Sequence, residues 1–214
     1  MSHSSNTPRL SKVAIVVFNK PIAKPSVITF QYNPETLTRD LKANAVEGGA
    51  TSDAFRLSGA PVETIKMDCV FDATDDLAEN DKMALKHGVR PQLAALETLI
   101  SPNSLTVIAN TALLSLGTLE ILPASAPFTV LVLGSRVLPV RMTGFSISEE
   151  FFDENLNPIR AKVGLDMTVL TYSDLETSHP GYAMYLSHQI IKETQAAKVR
   201  NEDTLALSQK LSAF

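Results

Sequence analysis

Residues that could carry acid–base or metal chemistry are scattered along the chain and form no recognisable catalytic pattern. The chain has four histidines, none spaced as a metal pair with a nearby carboxylate: His3, His87, His179 and His188. Surface or helix-capping roles are therefore the favoured interpretation. The sequence also has no G-x-S-x-G motif, no P-loop and no dinucleotide-binding fingerprint. We predict no catalytic residue, no bound metal and no cofactor.

Two acidic clusters could bind calcium or act as paired carboxylates in acid–base catalysis. The first, at residues 72–81, lacks the glycine and the ligand spacing of an EF-hand loop, so we interpret it as a solvated loop. The second, Glu149-Glu150 with Asp153-Glu154, lies at the end of a predicted hairpin, where acidic residues commonly serve solubility. We therefore predict that the protein is not an enzyme and favour a binding or structural role.

Length and composition are those of an ordinary soluble globular protein. The 214 residues suit one domain with a short appendage, and the net charge of −4 offers no basic surface for nucleic acid. The single cysteine, Cys69, excludes an internal disulfide and a multi-cysteine zinc site. No segment resembles a membrane helix or a signal peptide. We expect no nucleic-acid partner, no membrane insertion and synthesis in the cytoplasm.

The clearest structural pattern lies at residues 128–171, around which the other elements must be arranged. From residue 159 onward, apolar and polar residues alternate strictly, as in a strand with one buried face. The apolar positions are Ile159, Ala161, Val163, Leu165, Met167 and Val169. A helix would distribute these residues around its circumference, so we predict a long antiparallel strand.

Residues 137–151 form the predicted hairpin partner of this strand, although their alternation changes phase. The apolar residues fall into two sets of opposite parity: Val140 and Met142, then Phe145, Ile147 and Phe151. A β-bulge near Gly144 would bring both sets to one face. Residues 153–158 form the predicted turn, and residues 128–133 add a third strand to this meander.

The length of the hairpin has two interpretations. Residues 159–171 would span roughly 43 Å at about 3.3 Å per residue, well beyond an ordinary strand of about 5–6 residues. Part of the hairpin could extend past its own core, where its apolar face would need a neighbouring molecule. Alternatively, the strand could curve around its own domain as part of a barrel.

The remaining chain predicts further strands and two main helical regions. Strands are expected at residues 13–18, 27–32, 36–46 and 62–71, and strand-like segments recur within residues 105–122. A helix follows Pro91, with apolar residues at helical spacing: Leu93, Leu96, Leu99 and Ile100. A weaker helical stretch precedes it at residues 80–87, and a C-terminal helix starts near Tyr182.

These elements predict a mainly β (α+β) fold, a barrel or two-layer sheet with one packed helix and a C-terminal helical extension. We expect a flexible N-terminal arm at residues 1–11, a β domain at residues 12–175 and the extension at residues 176–214.

Three short segments carry a family resemblance that covers roughly residues 13–175. Residues 30–37 read FQYNPETL, residues 70–72 read VFD, and residues 151–161 read FFDENLNPIRA. In this order and spacing they resemble F-x-Y/F-N-P-E-x-L, F-D and F-D-x-x-G-x-P-x-R-A of the contractile injection system tube and LysM-containing baseplate proteins. Asn157 stands where that family usually has glycine. The motif residues are Phe30, Tyr32, Asn33, Pro34, Glu35, Leu37, Phe71, Asp72, Phe152, Asp153, Pro158 and Arg160.

The resemblance implies a phage tail-tube-like β-barrel or sandwich, with six copies forming a ring between the inner tube and the baseplate spike. Its partners would be further copies of itself, the inner tube protein, the spike or hub protein and the baseplate wedge proteins. Family members usually continue into a LysM module. Residues 201–205 resemble the start of LysM, but we expect no complete module in this chain.

Within such a ring, the meander would supply the sheet between subunits. The candidate residues are Val140, Met142, Phe145, Ile147, Ile159, Val163, Leu165 and Met167. We expect subunits made in the cytoplasm to assemble into a particle that is either kept in the cell or released.

Three functions remain open from the sequence. The first is a structural, ring-forming adaptor between tube and spike. The second is the inner tube or tube-initiating subunit, although the C-terminal extension argues against a plain tube subunit. The third, from another class, is a monomeric β-barrel that binds a small ligand in a concave apolar pocket.

Overall fold

A seven-stranded antiparallel sheet organises the structure, a computed structural model that describes residues 12–18, 25–45, 55–117, 123 and 125–198. Its strands are β1 (Ala14–Phe18), β2 (Ser26–Thr29), β3 (Leu37–Lys42), β4 (Val62–Asp72), β5 (Phe128–Leu133), β6 (Arg136–Phe152) and β7 (Pro158–Val169). The helices are α1 (Thr74–Ala78), α2 (Lys82–His87), α3 (Arg90–Glu97), α4 (Ser104–Ser115) and α5 (Pro180–Ala196). The predicted mainly β, α+β fold is confirmed.

The sheet is open, with strand order β2-β1-β5-β6-β7-β4-β3, so that β2 and β3 form its edges. It nevertheless curls until the residues after β2 reach the end of β4. The rings of Phe30 and Phe71 lie 5.7 Å apart, and the Asp72 N–H donates to the Gln31 side-chain oxygen at 3.0 Å. The sheet therefore wraps around a core, but in the described chain hydrogen-bonded strands do not close it into a barrel.

The predicted meander is confirmed as β5, β6 and β7. The pairing of β6 with β7 shifts between Met142 and Gly144, which is the bulge expected from the change in parity. Val140 and Met142 consequently share one face with Phe145 and Ile147, because all four lie opposite odd-numbered apolar residues of β7. One extra residue thus keeps the apolar face continuous past the bulge.

The core lies on this apolar face and is completed by helices. The buried apolar side chains of β4 and β7 include Ile65, Met67, Cys69, Phe71, Ala161, Val163, Leu165, Met167 and Val169. α3 buries Leu93 and Leu96, and Leu99 is buried just beyond its end. Full burial of such side chains contributes about 1.5–3 kcal/mol each. Ile100, expected in the same row, is exposed because α3 already ends at Glu97.

The acidic segment predicted as a loop contains the short helix α1. Asp75 and Asp76 lie in its first turn, where carboxylates interact favourably with the helix dipole. The Asp72 carboxylate accepts a hydrogen bond from the Thr74 N–H at 2.9 Å, which satisfies one of the free N–H groups at the helix start. The acidic composition that suggested a solvated loop is therefore also compatible with a helix N-terminus.

The segment predicted to contain a strand from Leu105 forms α4 instead. Asn103 caps this helix, because its side-chain oxygen accepts from the Leu105 N–H at 2.9 Å. Short apolar runs do not distinguish a strand from a helix by periodicity. The Pro102-Asn103 pair, which the sequence indicated as the end of α3, also starts the next helix.

The C-terminal helix is confirmed as α5, with Tyr185 and His188 buried and Ile190 exposed. The predicted N-terminal arm, the tail beyond residue 198 and the strand-like segment at residues 118–122 lie outside the described residues.

Candidate assembly interface

β6 is paired along only part of one side. β5 lies beside it from Arg136 to Val140, whereas β7 accompanies its other side as far as Phe152. Among the strands that the structure describes, none lies beside residues 141–152 on the β5 side. Their outward backbone groups therefore form a free edge, which natural sheets usually shorten or cover.

Within the described residues, β3 pairs with β4 alone, so its other side forms a second free edge at the opposite end of the same group of strands. The order β6-β7-β4-β3 is antiparallel at each step, so β6 and β3 run in opposite directions. Two edges with this relation could form an antiparallel ladder between two copies of the chain.

The apolar face of these strands holds the residues predicted for the sheet between subunits. Five of them are buried in the core of their own subunit: Val140, Met142, Val163, Leu165 and Met167. The other three are half-buried: Phe145, Ile147 and Ile159. The structure therefore places most of these side chains within the subunit, and the accessible part of β6 is its backbone edge.

The opposite face of the four strands is hydrophilic and balanced in charge. Its charged residues are Lys42, Lys66, Arg141, Arg160 and Lys162, and Asp40, Asp68, Asp72, Glu150 and Asp166. Lys162 lies 2.9 Å from Glu150, and Arg160 lies 4.0 Å from both Glu150 and Asp72. Because water screens these partly exposed ion pairs, each contributes at most about 1 kcal/mol to the free energy of unfolding.

The first family motif connects the two ends of the curled sheet. Phe30 is fully buried against Phe71, and the Asn33 side-chain oxygen accepts from the Val13 N–H at 3.1 Å. Leu37 begins β3 and packs half-buried against the core. The remaining motif residues lie nearer the surface: Tyr32 and Glu35 are exposed, and Pro34 is half-buried. Within one chain, the motif thus directs the polypeptide from the β2 edge to the β3 edge.

The second family motif, Phe71 and Asp72, joins β4 to the helices. Asp72 accepts from the N–H and the hydroxyl of Thr74 and lies opposite Arg160 in β7. The Thr74 hydroxyl, followed by the Thr74 N–H and the Arg160 guanidinium, holds the Asp72 pKa below its ordinary value. The ionised carboxylate therefore links the end of β4, the start of α1 and the β7 strand.

The hairpin turn is stabilised by Asp153. Its carboxylate accepts from the backbone N–H groups of Asn155 and Asn157 at 2.8 and 2.7 Å and from the Asn157 side-chain amide at 2.8 Å. The Asn157 amide, followed by the Asn157 N–H, lowers the Asp153 pKa below its ordinary value. Phe151, Phe152 and Leu156 remain exposed at the tip.

The base of this turn is anchored to the helices through Pro158. The buried Pro158 carbonyl accepts from the Val89 N–H at 2.9 Å. Gly88 has φ +56°, and a Cβ there would lie 2.1 Å from the same oxygen. Only glycine permits this approach, so the hairpin is fixed at its base while its tip reaches solvent.

A buried ion pair on the apolar face was missed by the sequence reasoning. Glu63 is 1% exposed, and its Oε1 accepts from the Arg39 Nε at 2.6 Å, while Oε2 has no protein hydrogen-bond partner. Glu63 shares the parity of Ile65 and Met67 in β4. A carboxylate in an otherwise apolar row was the available signal for a buried partner.

His188 of α5 is buried near this pair, which corrects its predicted surface role. Burial, followed by the charge of Lys192, lowers the His188 pKa, while Glu63 opposes that shift. His179 does cap α5, because its Nδ1 accepts from the Gly181 N–H at 3.1 Å. The capping interpretation is therefore confirmed for His179, whereas His188 is a core histidine.

Cys69 is buried on the apolar face of β4, as expected from its parity. Burial, followed by the charge of Asp68, raises its pKa to about 12. The thiol therefore stays protonated and protected near neutral pH.

Among the helices that the structure describes, none combines the length and the hydrophobicity needed to cross a membrane.

A comparison with curated proteins gives no match. By contrast, residues 9–178 match the family model described as contractile injection system tube protein. The match includes all seven strands and the three segments on which the resemblance rested. The chain therefore belongs to the contractile injection system tube protein family.

Proposed function

We propose that the chain is a structural, non-enzymatic adaptor that forms a ring between the inner tube and the baseplate spike of a contractile injection particle. The observation that carries this proposal is the pair of free edges on the β6-β7-β4-β3 group. One edge is residues 141–152 of β6, and the other is β3. A head-to-tail contact between such edges is heterologous, and heterologous contacts generate rings when the rotation closes.

The strand directions support this contact. When β3 of one copy lies beside β6 of the next, every strand around the ring remains antiparallel to its neighbours. The apolar candidate residues then stay in the subunit cores, and their strands supply the joint through backbone hydrogen bonds. A six-copy ring would present the hydrophilic face of these strands to a central channel.

The exposed hairpin tip supports a position between two layers of the particle. In a ring joined along strand edges, strand ends point towards the adjoining layers. Phe151, Phe152 and Leu156 are exposed at such an end and offer apolar contacts to the inner tube protein or the spike or hub protein. Baseplate wedge proteins would contact the outer surface, including α5. We place assembly in the cytoplasm, with the particle then kept in the cell or released.

The inner tube subunit is a second candidate, favoured by the family description. It would use the same edges but stack in many layers. α5 begins just beyond the matched residues and gives the adaptor an additional surface that need not be part of a repeating tube.

The first experiment is cryo-electron microscopy of particles from the producing cells, with mass spectrometry to locate this chain. We expect a single sixfold layer between tube and spike, with β3 of each copy beside β6 of the next. Many stacked layers would establish the tube subunit instead. Absence of the chain from particles, with a stable monomer in solution, would move the assignment to a monomeric protein that binds a small ligand.

A cysteine experiment tests the edge contact itself. Ser148 in β6 and Thr38 in β3 lie on opposite edges, separated by two further strands, which is too far for a disulfide within one chain. We expect the S148C/T38C variant to form covalent multimers in particles under oxidising conditions. Neighbouring cysteine positions along both strands allow for an offset in register. Each single variant is the matched control, because the buried Cys69 does not react.

A further inference from the structure

Two hydrogen bonds show which backbone groups point outward along the free edges of β6 and β3. In an antiparallel strand, the N–H and C=O of one residue point to the same side, and successive residues alternate between sides. The Ala73 N–H donates to the Ile159 carbonyl at 2.9 Å, and the Leu170 N–H donates to the Pro139 carbonyl at 2.8 Å. Odd-numbered residues of β7 therefore face β4, and even-numbered residues of β7 face β6. By the same alternation, odd-numbered residues of β4 face β7 and even-numbered residues of β4 face β3.

The outward groups of both edges belong to residues of the apolar face. Even-numbered residues of β3 pair with even-numbered residues of β4, so the outward residues of β3 are Leu37, Arg39 and Leu41. Beyond the bulge, even-numbered residues of β6 pair with even-numbered residues of β7, so the outward residues of β6 include Phe145, Ile147 and Glu149. Residues that pair across a ladder project from the same face of the sheet. The two edges can therefore join with their apolar faces continuous, whereas a one-residue change of phase on either edge would prevent it.

Each outward row contains one charged residue. Arg39 stands between Leu37 and Leu41 in β3, and Glu149 follows Ile147 in β6. Glu149 is exposed and has no charged partner among the described residues. The Arg39 side chain is 25% exposed and uses its Nε and one terminal nitrogen for Glu63. Because a guanidinium has five N–H donors, Arg39 has donors left for a second carboxylate.

Only one register of the two edges brings these charges together. Because outward residues must pair with outward residues, registers differ by steps of two residues. Arg39 of one copy could lie opposite Phe145, Ile147, Glu149 or, at the end of β6, Phe151 of the next copy. Opposite charges stabilise a cross-strand pair, whereas the other three registers leave the guanidinium beside an apolar side chain. Charge complementarity therefore favours the register that places Arg39 opposite Glu149.

The same register also pairs the neighbouring apolar residues. It places Leu41 opposite Ile147 and Leu37 opposite Phe151 of the next copy. Leu41 is 51% exposed and Phe151 is 67% exposed in the single subunit, so both have apolar surface that the contact would cover. Pairs of apolar or aromatic residues directly opposite each other stabilise a sheet.

The charged residues of the hydrophilic face are compatible with this register as well. Asp40 comes opposite Ser148, and Lys42 comes opposite Ser146. A shift of two residues towards the hairpin tip would place Asp40 opposite Glu150, and like charges directly opposite each other destabilise a sheet. The hydrophilic face therefore disfavours the adjacent register on that side.

The register also provides the stagger that a closed sheet requires. Within one copy, Gly144 lies opposite Asp166, and Asp166 lies opposite Lys66. Lys66 lies opposite Thr38, so Thr38 is level with Gly144 of its own copy. Between copies Thr38 lies opposite Glu150, a stagger of six residues (150 minus 144). Six residues at about 3.3 Å across four strand spacings of about 4.8 Å incline the strands by about 45°, close to the roughly 35–45° of closed sheets.

We propose that Arg39 of each copy binds Glu149 of the next copy and thereby sets the register of the sheet between them. This inference rests on the proposed ring and adds a specific residue pair to it. The partner is a second copy of this chain because the two complementary rows lie on opposite edges of the same subunit. Backbone hydrogen bonds alone would permit shifts of two residues, so the ion pair distinguishes one register from the others.

Disulfide mapping in particles measures the register. In the proposed register, Ser148 and Asp40 form a non-hydrogen-bonded pair, whose Cβ atoms lie close enough for a disulfide. We expect S148C/D40C and S146C/K42C to link neighbouring copies most efficiently. S148C/T38C should link several-fold less, because its cysteines lie diagonally rather than directly opposite each other. The single-cysteine variants are the controls.

The pattern of links separates failure of the register from failure of the ring. If S148C/T38C or another offset pair linked more efficiently than S148C/D40C, the proposed register would be wrong and the ring would stand. Absence of links from every pair along the two strands would reject the edge contact and the ring with it.

Glu149→Lys tests the ion pair itself. We expect an unchanged Tm, since Glu149 is exposed, and incorporation into particles reduced by about tenfold or more, because Lys faces Arg39 at every contact of the ring. Glu97→Lys makes the same charge change at an exposed position of α3 and should assemble normally. Arg39 itself stays unchanged in this test because Glu63 depends on it. Incorporation of Glu149→Lys at the wild-type level would overturn the proposed ion pair.

Discussion

Charged residues have different environments on the two faces of the β6-β7-β4-β3 group. On the hydrophilic face, Lys162 and Glu150 form a partly exposed pair in which water screens each charge. On the apolar face, Glu63 is almost fully buried and depends on Arg39 at 2.6 Å. A similar ion pair is therefore nearly neutral for stability on one face and strongly coupled to folding on the other. The difference arises because burial removes the water that would otherwise solvate an unpaired charge.

The largest expected difference between the faces comes from the same new charge placed on each. Val163→Asp puts a carboxylate among apolar core side chains and should destabilise the subunit by about 4 kcal/mol or more, enough to unfold a marginal domain. Chemical denaturation and circular dichroism measure this loss.

Ser148→Asp is the matched control on the hydrophilic face. Residue 148 lies opposite Lys162, so the substitution should change the free energy of unfolding by no more than about 0.5 kcal/mol. If Val163→Asp folded and assembled normally, our assignment of the buried face of β7 would be wrong.

A smaller effect is expected from breaking the ion pair on each face. Arg39→Met leaves Glu63 buried without its partner and should lower the free energy of unfolding by about 3 kcal/mol. Lys162→Met removes an ion pair that water screens and should lower the free energy of unfolding by less than about 1 kcal/mol. The double variant R39M/E63M should recover most of the loss, measured by urea denaturation. If Arg39→Met and Lys162→Met lowered the free energy of unfolding equally, the proposed difference between ion pairs on the apolar and hydrophilic faces would be wrong.

The smallest effect is a pH dependence on the apolar face. Burial lowers the His188 pKa, so below its ordinary value of about 6.5 the unfolded chain binds a proton more readily than the folded one. The free energy of unfolding should therefore fall as the pH decreases from about 6.5 towards the folded-state pKa, and this contribution should be constant above that window. Lys192, Arg39 and Arg136 add to the shift, while Glu63 opposes it.

The measurement is urea denaturation at pH 7.5 and pH 5.5, with His188→Gln as the comparison. We expect the free energy of unfolding to decrease between pH 7.5 and pH 5.5 in the wild type, and to decrease less in the variant. An identical decrease in both proteins would assign the pH dependence to other groups. Asp72 and Asp153, whose pKa values are lowered, lose their contribution only at more acidic pH.

The meander was predictable because its signals are local. Strict alternation in β7 and the change in parity near Gly144 identified both the strands and the bulge. The helix α3 was also predictable from leucines at helical spacing. By contrast, the apolar run of α4 carries no such stripe, since its residues are exposed on several sides. Its strand-like composition consequently suggested the wrong element.

The candidate interface was predictable only in its general location. The sequence indicated the meander, but the apolar residues chosen for the contact mostly fill the subunit's own core. The free edge of β6 depends on where β5 stops along it, and the free edge of β3 depends on which strand pairs with β4. Both are long-range pairings that periodicity within one segment does not encode.

The sequence alone predicts the faces of the long strands, the position of the bulge and, through its ordered motifs, the family. These features follow from residue spacing and backbone geometry within short segments. Three features depend on contacts between distant segments: the ion pair of Glu63 with Arg39, the close approach of Gly88 to Pro158, and the edges that β6 and β3 leave unpaired among the described strands. Those outcomes required distant segments to meet, because burial and pairing are set by the complete arrangement of strands rather than by any one of them.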